Sequence, residues 1–370
     1  NKIKDFKNVY NTIELSRAKL LSERLVGIDS LVVIPDLSTI QSALSSNQAI
    51  IIYADIDWEN LIEIVITNDT IIGIEVPDSI LISTLYPDNE EATLELAVKS
   101  YRIFVKSLSE SDQIAKFSSS FYDLLIDPIT SYLENKSDLI IIPEGILGYL
   151  PFETFINNNG QYLVETHDIT YAQSVSVWDF IRNRKHHEHE KGLLAVGGAV
   201  YNRKTYEVDM IENEKMLAYL EKTAFDSIAT RGLLTESYNS LGYSDWSNLP
   251  GSLNEINNIS GIIKYADQIS GYNATEATIK ELSSTGELAK YKMIHFATHG
   301  VVVPEIPELS AVVLSQFEDI TDSEDGYLRM GEIAKLEINA DFVNLSACET
   351  ALGKIYSGEG VVGLTQSFIL

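Results

Sequence analysis

Cys348 is the only cysteine among 370 residues, and a thiolate is an intrinsically strong nucleophile. It ends the segment Asp341-Phe342-Val343-Asn344-Leu345-Ser346-Ala347-Cys348, which starts like a buried strand and finishes in small, polar residues. A second segment, Tyr291-Lys292-Met293-Ile294-His295-Phe296-Ala297-Thr298-His299-Gly300, also reads as a strand, and it ends in His-Gly. Strand ends at the carboxyl edge of a sheet are where α/β proteins build their sites. An imidazole beside a thiol can take its proton or stabilise the resulting ion pair. Backbone N–H groups at Gly300 and Cys348 can hold the oxyanion of a tetrahedral intermediate. Glycine after the histidine has no Cβ to keep a substrate away. The chemistry these residues suit is acyl transfer through a His299/Cys348 dyad.

Other readings compete. A lone cysteine is often an inert core residue that packs as a small hydrophobe. Its place after a strand and before a glycine-rich stretch favours chemistry. His295 is a second candidate base. In one continuous strand it would share a face with His299, so parity does not separate them. His299 is preferred because it ends the strand beside Gly300, whereas His295 sits mid-strand, where a hydrogen-bonded core histidine is expected. Gly358-Glu359-Gly360-Val361-Val362-Gly363 matches the dinucleotide fingerprint. The expected strand ends too far upstream, however, and the sequence stops before the position about 20 residues on where an acidic residue would be looked for. A glycine-rich turn opening a helix accounts for it better. Ser346 lies in no G-x-S-x-G elbow. His186, His187 and His189 fall in a charged stretch with no zinc-ligand spacing. That stretch reads as a solvated linker and a lobe boundary. No metal and no cofactor are called for.

The elements that must position the dyad follow from pattern. Residues 1–26 read as a helix stopped by Gly27, and residues 49–74 as a β-meander with its last turn at Asn68-Asp69-Thr70. Helical periods follow around Leu94 to Val105 and Phe121 to Ile129. Leu139-Ile140-Ile141-Ile142 suits a strand covered on both faces. After the linker come a strand at Leu193-Leu194-Ala195-Val196 and a polar insertion over residues 201–250. Ser252-Leu253-Asn254-Glu255 is a capping-box signature. A helix over residues 275–282 and a strand at Ala311-Val312-Val313-Leu314 complete the pattern. Strands alternating with helices predict an α/β fold with a mostly parallel sheet covered on both faces.

A chain of this length accommodates two lobes. A net charge of −27 argues against binding a nucleic-acid backbone, which needs clustered Lys and Arg. The acidity is spread along the chain and reads as solubility, with attraction of a basic peptide as the alternative. One cysteine means no internal disulfide framework and fits a reducing, cytoplasmic compartment. No apolar stretch approaches the ~20 residues of a membrane-spanning helix, and the amino terminus carries no signal-peptide core. The absence of an initiator Met and the abrupt carboxyl end suggest a piece of a longer polypeptide.

His295-Phe296-Ala297-Thr298-His299-Gly300 and Asn344-Leu345-Ser346-Ala347-Cys348-Glu349-Thr350-Ala351-Leu352-Gly353 resemble the CHAT family. These are caspase-like domains associated with tetratricopeptide repeats, in the clan of caspases and separase. Gly358 to Leu364, Leu139 to Phe152, Tyr162 to Ala172 and Leu249-Pro250-Gly251 extend the resemblance, which covers roughly residues 31–370. The separation of His299 and Cys348 is also close to the spacing of about 50 between a caspase histidine and its cysteine. The resemblance implies a caspase-like three-layer α/β/α sandwich in two lobes. Residues 28–190 would form a degenerate companion lobe and residues 191–370 the catalytic lobe, the family's later strands being absent. Residues 1–27 would be the tail of an upstream repeat array. It implies a cysteine endopeptidase with His299 as base and Cys348 as nucleophile. Its partners would be a regulator bound to the repeats and a protein substrate, such as a gasdermin-type pore former in bacterial defence. Glu349 and Glu359 are candidates for contacting a basic substrate side chain. The alternative is a catalytically silent scaffold of the same fold that binds proteins.

Overall fold

The structure, a computed structural model, describes residues 6–24, 34–57, 60–89, 91–107, 111–185, 188–201, 246, 248–301, 303, 309–316, 324–347, 354–356, 360–362 and 364–369. The chain divides into two compact units, Asn1–Arg184 with Ile355–Val361, and Lys185–Lys354 with Val362–Leu370.

The first unit comprises α1 (Phe6–Arg24), α2 (Leu37–Ala43), β1 (Gln48–Asp57), β2 (Asn60–Ile66), β3 (Ile71–Val76), α3 (Asp78–Leu85), α4 (Leu94–Ser107), α5 (Ser111–Leu125), β4 (Asp138–Ile142), β5 (Asp168–Tyr171) and α6 (Val175–Asn183). β1, β2 and β3 form the expected antiparallel meander, while β4 runs parallel to both β1 and β5. The sheet order is β3-β2-β1-β4-β5. Alternate residues explain the continuous isoleucine runs, because both sheet faces are covered. Ile51, Tyr53, Val65, Leu139 and Ile141 pack with Leu81, Val98, Tyr101 and Phe121 from α3, α4 and α5. Ile50, Ile52, Ile64, Ile140 and Ile142 face the other way, toward Tyr10, Leu37, Ile40 and Val175.

The second unit contains β6 (Lys191–Ala199), α7 (Pro250–Ile262), β7 (Ala266–Gly271), α8 (Glu276–Ser284), β8 (Tyr291–Ala297), β9 (His299–Val301), β10 (Ala311–Val313), β11 (Tyr327–Arg329), α9 (Met330–Ile333) and β12 (Phe342–Ser346). The short strands β13 (Lys354–Tyr356) and β14 (Gly360–Val362), most of whose residues belong to the first unit, pair with each other, and α10 (Leu364–Ile369) belongs to the second unit. The main sheet, β12-β8-β6-β7, is parallel throughout. Leu193, Ala195 and Ala297 pack against Ile256 of α7. Leu194, Val196, Ile294 and Phe296 pack on the other face with Ile279 of α8, Ile333 of α9 and Leu364 of α10. Helices therefore cover both faces of a parallel sheet, as the strand–helix alternation predicts. The chain is an α/β protein.

Four local expectations are corrected. Helix α7 starts at Pro250, not after a Ser252 cap, because proline suits the first helical position, where no N–H is needed. Ser252 instead accepts the Gly198 N–H at 2.9 Å and donates to Leu249 O at 2.8 Å. The segment from Tyr291 to Gly300 is two strands, not one. β8 belongs to the parallel sheet and β9 to a separate antiparallel sheet of order β11-β10-β9, so the shared-face argument for His295 and His299 fails. β10, read as one of the strands alternating with helices, is the centre of that antiparallel sheet. The glycines expected to form a turn contribute in part to β14, since Gly360–Val362 is a strand.

Candidate active site

The carboxyl ends of β6 and β8 meet where the backbone is packed closely. A Cβ at Gly197 would stand 2.8 Å from Ile256 Cγ2 and 3.1 Å from Ala297 O, and Gly198 has φ +61°. Glycine is needed at both, for space at the first and for the left-handed turn at the second. The chain leaves β8 through buried Thr298 and enters β9 at His299.

His299 and Gly300 are half-buried on β9, opposite Val313 and Val312 of β10. The His299 N–H donates to the Tyr201 hydroxyl at 3.3 Å, and that hydroxyl donates to Val313 O at 3.2 Å. Burial pushes the Tyr201 phenol up to about 12, so it stays protonated and able to donate. The Tyr201 and His299 ring centroids are 4.9 Å apart at 59°. Trp246 lies against the imidazole too, at 4.9 Å and 37°, and its Nε1 donates to the Tyr327 hydroxyl at 3.0 Å.

His295 has different surroundings. It is 4% exposed in the middle of β8. Its Nδ1 is 2.8 Å from Asn344 Nδ2, and its Nε2 is 3.0 Å from Glu255 Oε1 without the alignment of a hydrogen bond. Asn344 on β12 is the direct register partner of His295, and Ser346 pairs with Ala297 at the end of both strands. Among the linker histidines, His189 sits 3.2 Å from Asp341 Oδ1 through Nε2, while His186 and His187 lie outside the described residues. Among the described residues, no three His, Cys, Asp or Glu side chains are grouped as metal ligands.

Cys348, Glu349 and Glu359 lie outside the described residues. The structure brings His299 and Gly300 together with Tyr201, Trp246 and Tyr327, three aromatic residues that the sequence reading did not single out. Tyr201 follows the end of the first parallel strand, and that position at a carboxyl edge was the signal available. Trp246 is one of only three tryptophans, and it sits in a polar stretch shortly before Leu249-Pro250-Gly251.

The sequence model of the CHAT domain matches residues 115–370, more than half of the chain. The chain belongs to the CHAT-domain family. CHAT domains are associated with caspase-like cysteine peptidases. The CHAT match begins within α5, so the meander β1–β3 lies upstream of it, although the sequence reading had extended the resemblance to residue 31. It takes in the parallel sheet of the second unit and all the residues around His299. No curated protein matches this CHAT-domain chain. No helix among its described residues is long and apolar enough to cross a membrane.

Proposed function

We propose that this chain is a cysteine endopeptidase of caspase-like three-layer fold, acting through His299 and Cys348 on a partner protein. One observation carries the reading. Strands β8 and β12 run in parallel register with His295 opposite Asn344. Those positions differ by 49, and so do His299 and Cys348. Two adjacent strands thus stay in register as far as Ala297 and Ser346, from which the chain runs on toward the imidazole and the thiol, and this supports pairing the two for proton transfer.

In this mechanism His299 takes the Cys348 proton and the thiolate attacks the scissile carbonyl carbon. Backbone N–H groups of Gly300 and Cys348 stabilise the oxyanion. Collapse of the tetrahedral intermediate breaks the C–N bond, with the imidazolium giving its proton to the leaving amine. Water, deprotonated by His299, then hydrolyses the thioester. Glu349 and Glu359 flank this site in sequence and suit a basic substrate side chain. The division at residues 28–190 and 191–370 into companion and catalytic lobes belongs to the same proposal. So do the repeat-borne regulator, the defence role and the pore-forming substrate, which rest on the family resemblance alone.

An irreversible peptide electrophile directed at thiols tests the reading. Intact-mass and peptide mapping should show Cys348 modified in the native protein, much more slowly in His299→Ala, and not selectively in urea. Labelling that is indifferent to fold and to His299 would instead favour the silent scaffold.

A further inference from the structure

His299, Val313 and Tyr327 form one row across the antiparallel sheet, since Val313 is the register partner of both the others. Directly opposed residues in antiparallel strands project to the same face. Trp246 spans this row, with its Nε1–H on the Tyr327 hydroxyl and its indole against the His299 imidazole. Tyr201 arrives from the end of β6 and supplies a second aromatic wall at the same 4.9 Å. Its hydroxyl stands between the His299 N–H and the Val313 carbonyl. That hydroxyl bonds both main chains at the paired His299 and Val313, and so braces the His299 backbone against β10.

We propose that Tyr201 and Trp246 are positioning residues for His299: the Tyr201 hydroxyl fixes its backbone, the two rings fix its imidazole plane, and Tyr327 anchors Trp246. This deepens the dyad reading and rests on it. The physical need is clear, because an error of about 1 Å in the placement of a catalytic group can cost ~100-fold in rate. The imidazolium formed when the thiol is deprotonated would also lie beside electron-rich ring faces, which attract cations. Both residues contact His299 itself, and the role assigned to each is exerted through it.

Two readouts test this on the full chain. The first is the NMR signal of the His299 ring protons, identified by its loss in His299→Asn. Two flanking rings should displace it from the free-histidine position. Trp246→Leu and Tyr201→Leu should each move it back, and Tyr327→Phe should move it partway. The second is labelling of Cys348 by the peptide electrophile, resolved into a maximal rate and a half-saturating concentration. Tyr201→Phe keeps the ring but removes the hydroxyl. It should slow the maximal rate at least tenfold at an unchanged half-saturating concentration, with the melting temperature confirming the fold. Trp246→Phe should restore most of the rate lost in Trp246→Leu. The proposal is overturned by a wild-type His299 signal at the free position, by a signal unmoved in Trp246→Leu, or by full-rate labelling of Tyr201→Phe. If wild-type Cys348 does not label at all, the dyad reading fails, and the ring signal alone decides whether the clamp exists.

Discussion

Asn344 Nδ2 donates to His295 Nδ1 at 2.8 Å, from directly opposed positions on β12 and β8. A ring nitrogen that accepts leaves Nε2 to carry the ring proton, and Nε2 faces Glu255 Oε1. The pair is a polar tie in a largely apolar sheet. Any other register would separate the amide from the imidazole and leave His295 buried without its partner. The histidine that does not serve as the proposed base therefore helps to set the register of β8 against β12.

Asn344→Val should cost about 1–3 kcal/mol, the scale for stranding a buried polar partner. It should also slow Cys348 labelling if register matters to the dyad. A second change, His295→Leu, should recover part of the stability, because both partners are then apolar. Urea unfolding of the two single variants and the double variant gives the coupling. Additive losses would mean the pair does not hold the strands together.

Cys348→Ala should abolish cleavage of the partner protein while costing only about 1 kcal/mol of stability, since it removes one heavy atom. Single-turnover cleavage and thermal melting measured on one preparation separate the two effects. Wild-type cleavage by the alanine variant would end the protease proposal.

Helix α1 is fastened into the first unit by buried polar side chains. Glu14 accepts from the Val175 and Ser176 amides at 3.1 and 2.9 Å, satisfying the start of α6. Arg17 donates to Tyr53 O at 2.8 Å and to Glu144 Oε2 at 3.1 Å. Arg17→Met leaves a buried carboxylate without that cation and should destabilise the unit by about 3–5 kcal/mol. Adding Glu144→Gln should return part of the loss. A chain beginning at residue 28 should melt at a lower temperature for the same reason, which a thermal scan would show.

Much of this architecture was readable because strands buried on both faces leave unbroken apolar runs. Ile50-Ile51-Ile52 and Leu139-Ile140-Ile141-Ile142 are such runs, and β1 and β4 are where they predict. The break at Thr298 was not readable. His295-Phe296-Ala297 and His299-Gly300-Val301 have equal strand character, and only pairing with Ala311–Val313 assigns the second to another sheet. Pattern also favoured Ser252 as a helix cap, where Pro250 and the Gly198 amide determine what it does. The ring contacts of Tyr201 and Trp246 with His299 join positions far apart in sequence, and neither periodicity nor spacing encodes them.

Glu63 makes the stability of the first unit depend on pH. It lies on β2 opposite Tyr53, fully buried among apolar residues, and neither carboxyl oxygen has a hydrogen-bond partner among the described residues. The Tyr53 hydroxyl spends its proton on Leu125 O at 2.7 Å. Burial therefore holds the Glu63 carboxyl well above the usual range. In the unfolded chain a glutamate titrates near 4.3. Below that value both states are protonated and the group's contribution to stability is fully present. As pH rises, the unfolded state sheds its proton first, so the contribution falls until the folded pKa is passed. Glu63→Gln keeps the shape and cannot ionise. Its stability relative to wild type should rise between pH 5 and pH 8, by about 1.4 kcal/mol per pH unit until the folded carboxyl itself ionises. Urea midpoints at pH 5, 6.5 and 8 measure the trend. A difference between variant and wild type that stays constant over that range would show that Glu63 is not held neutral in the fold.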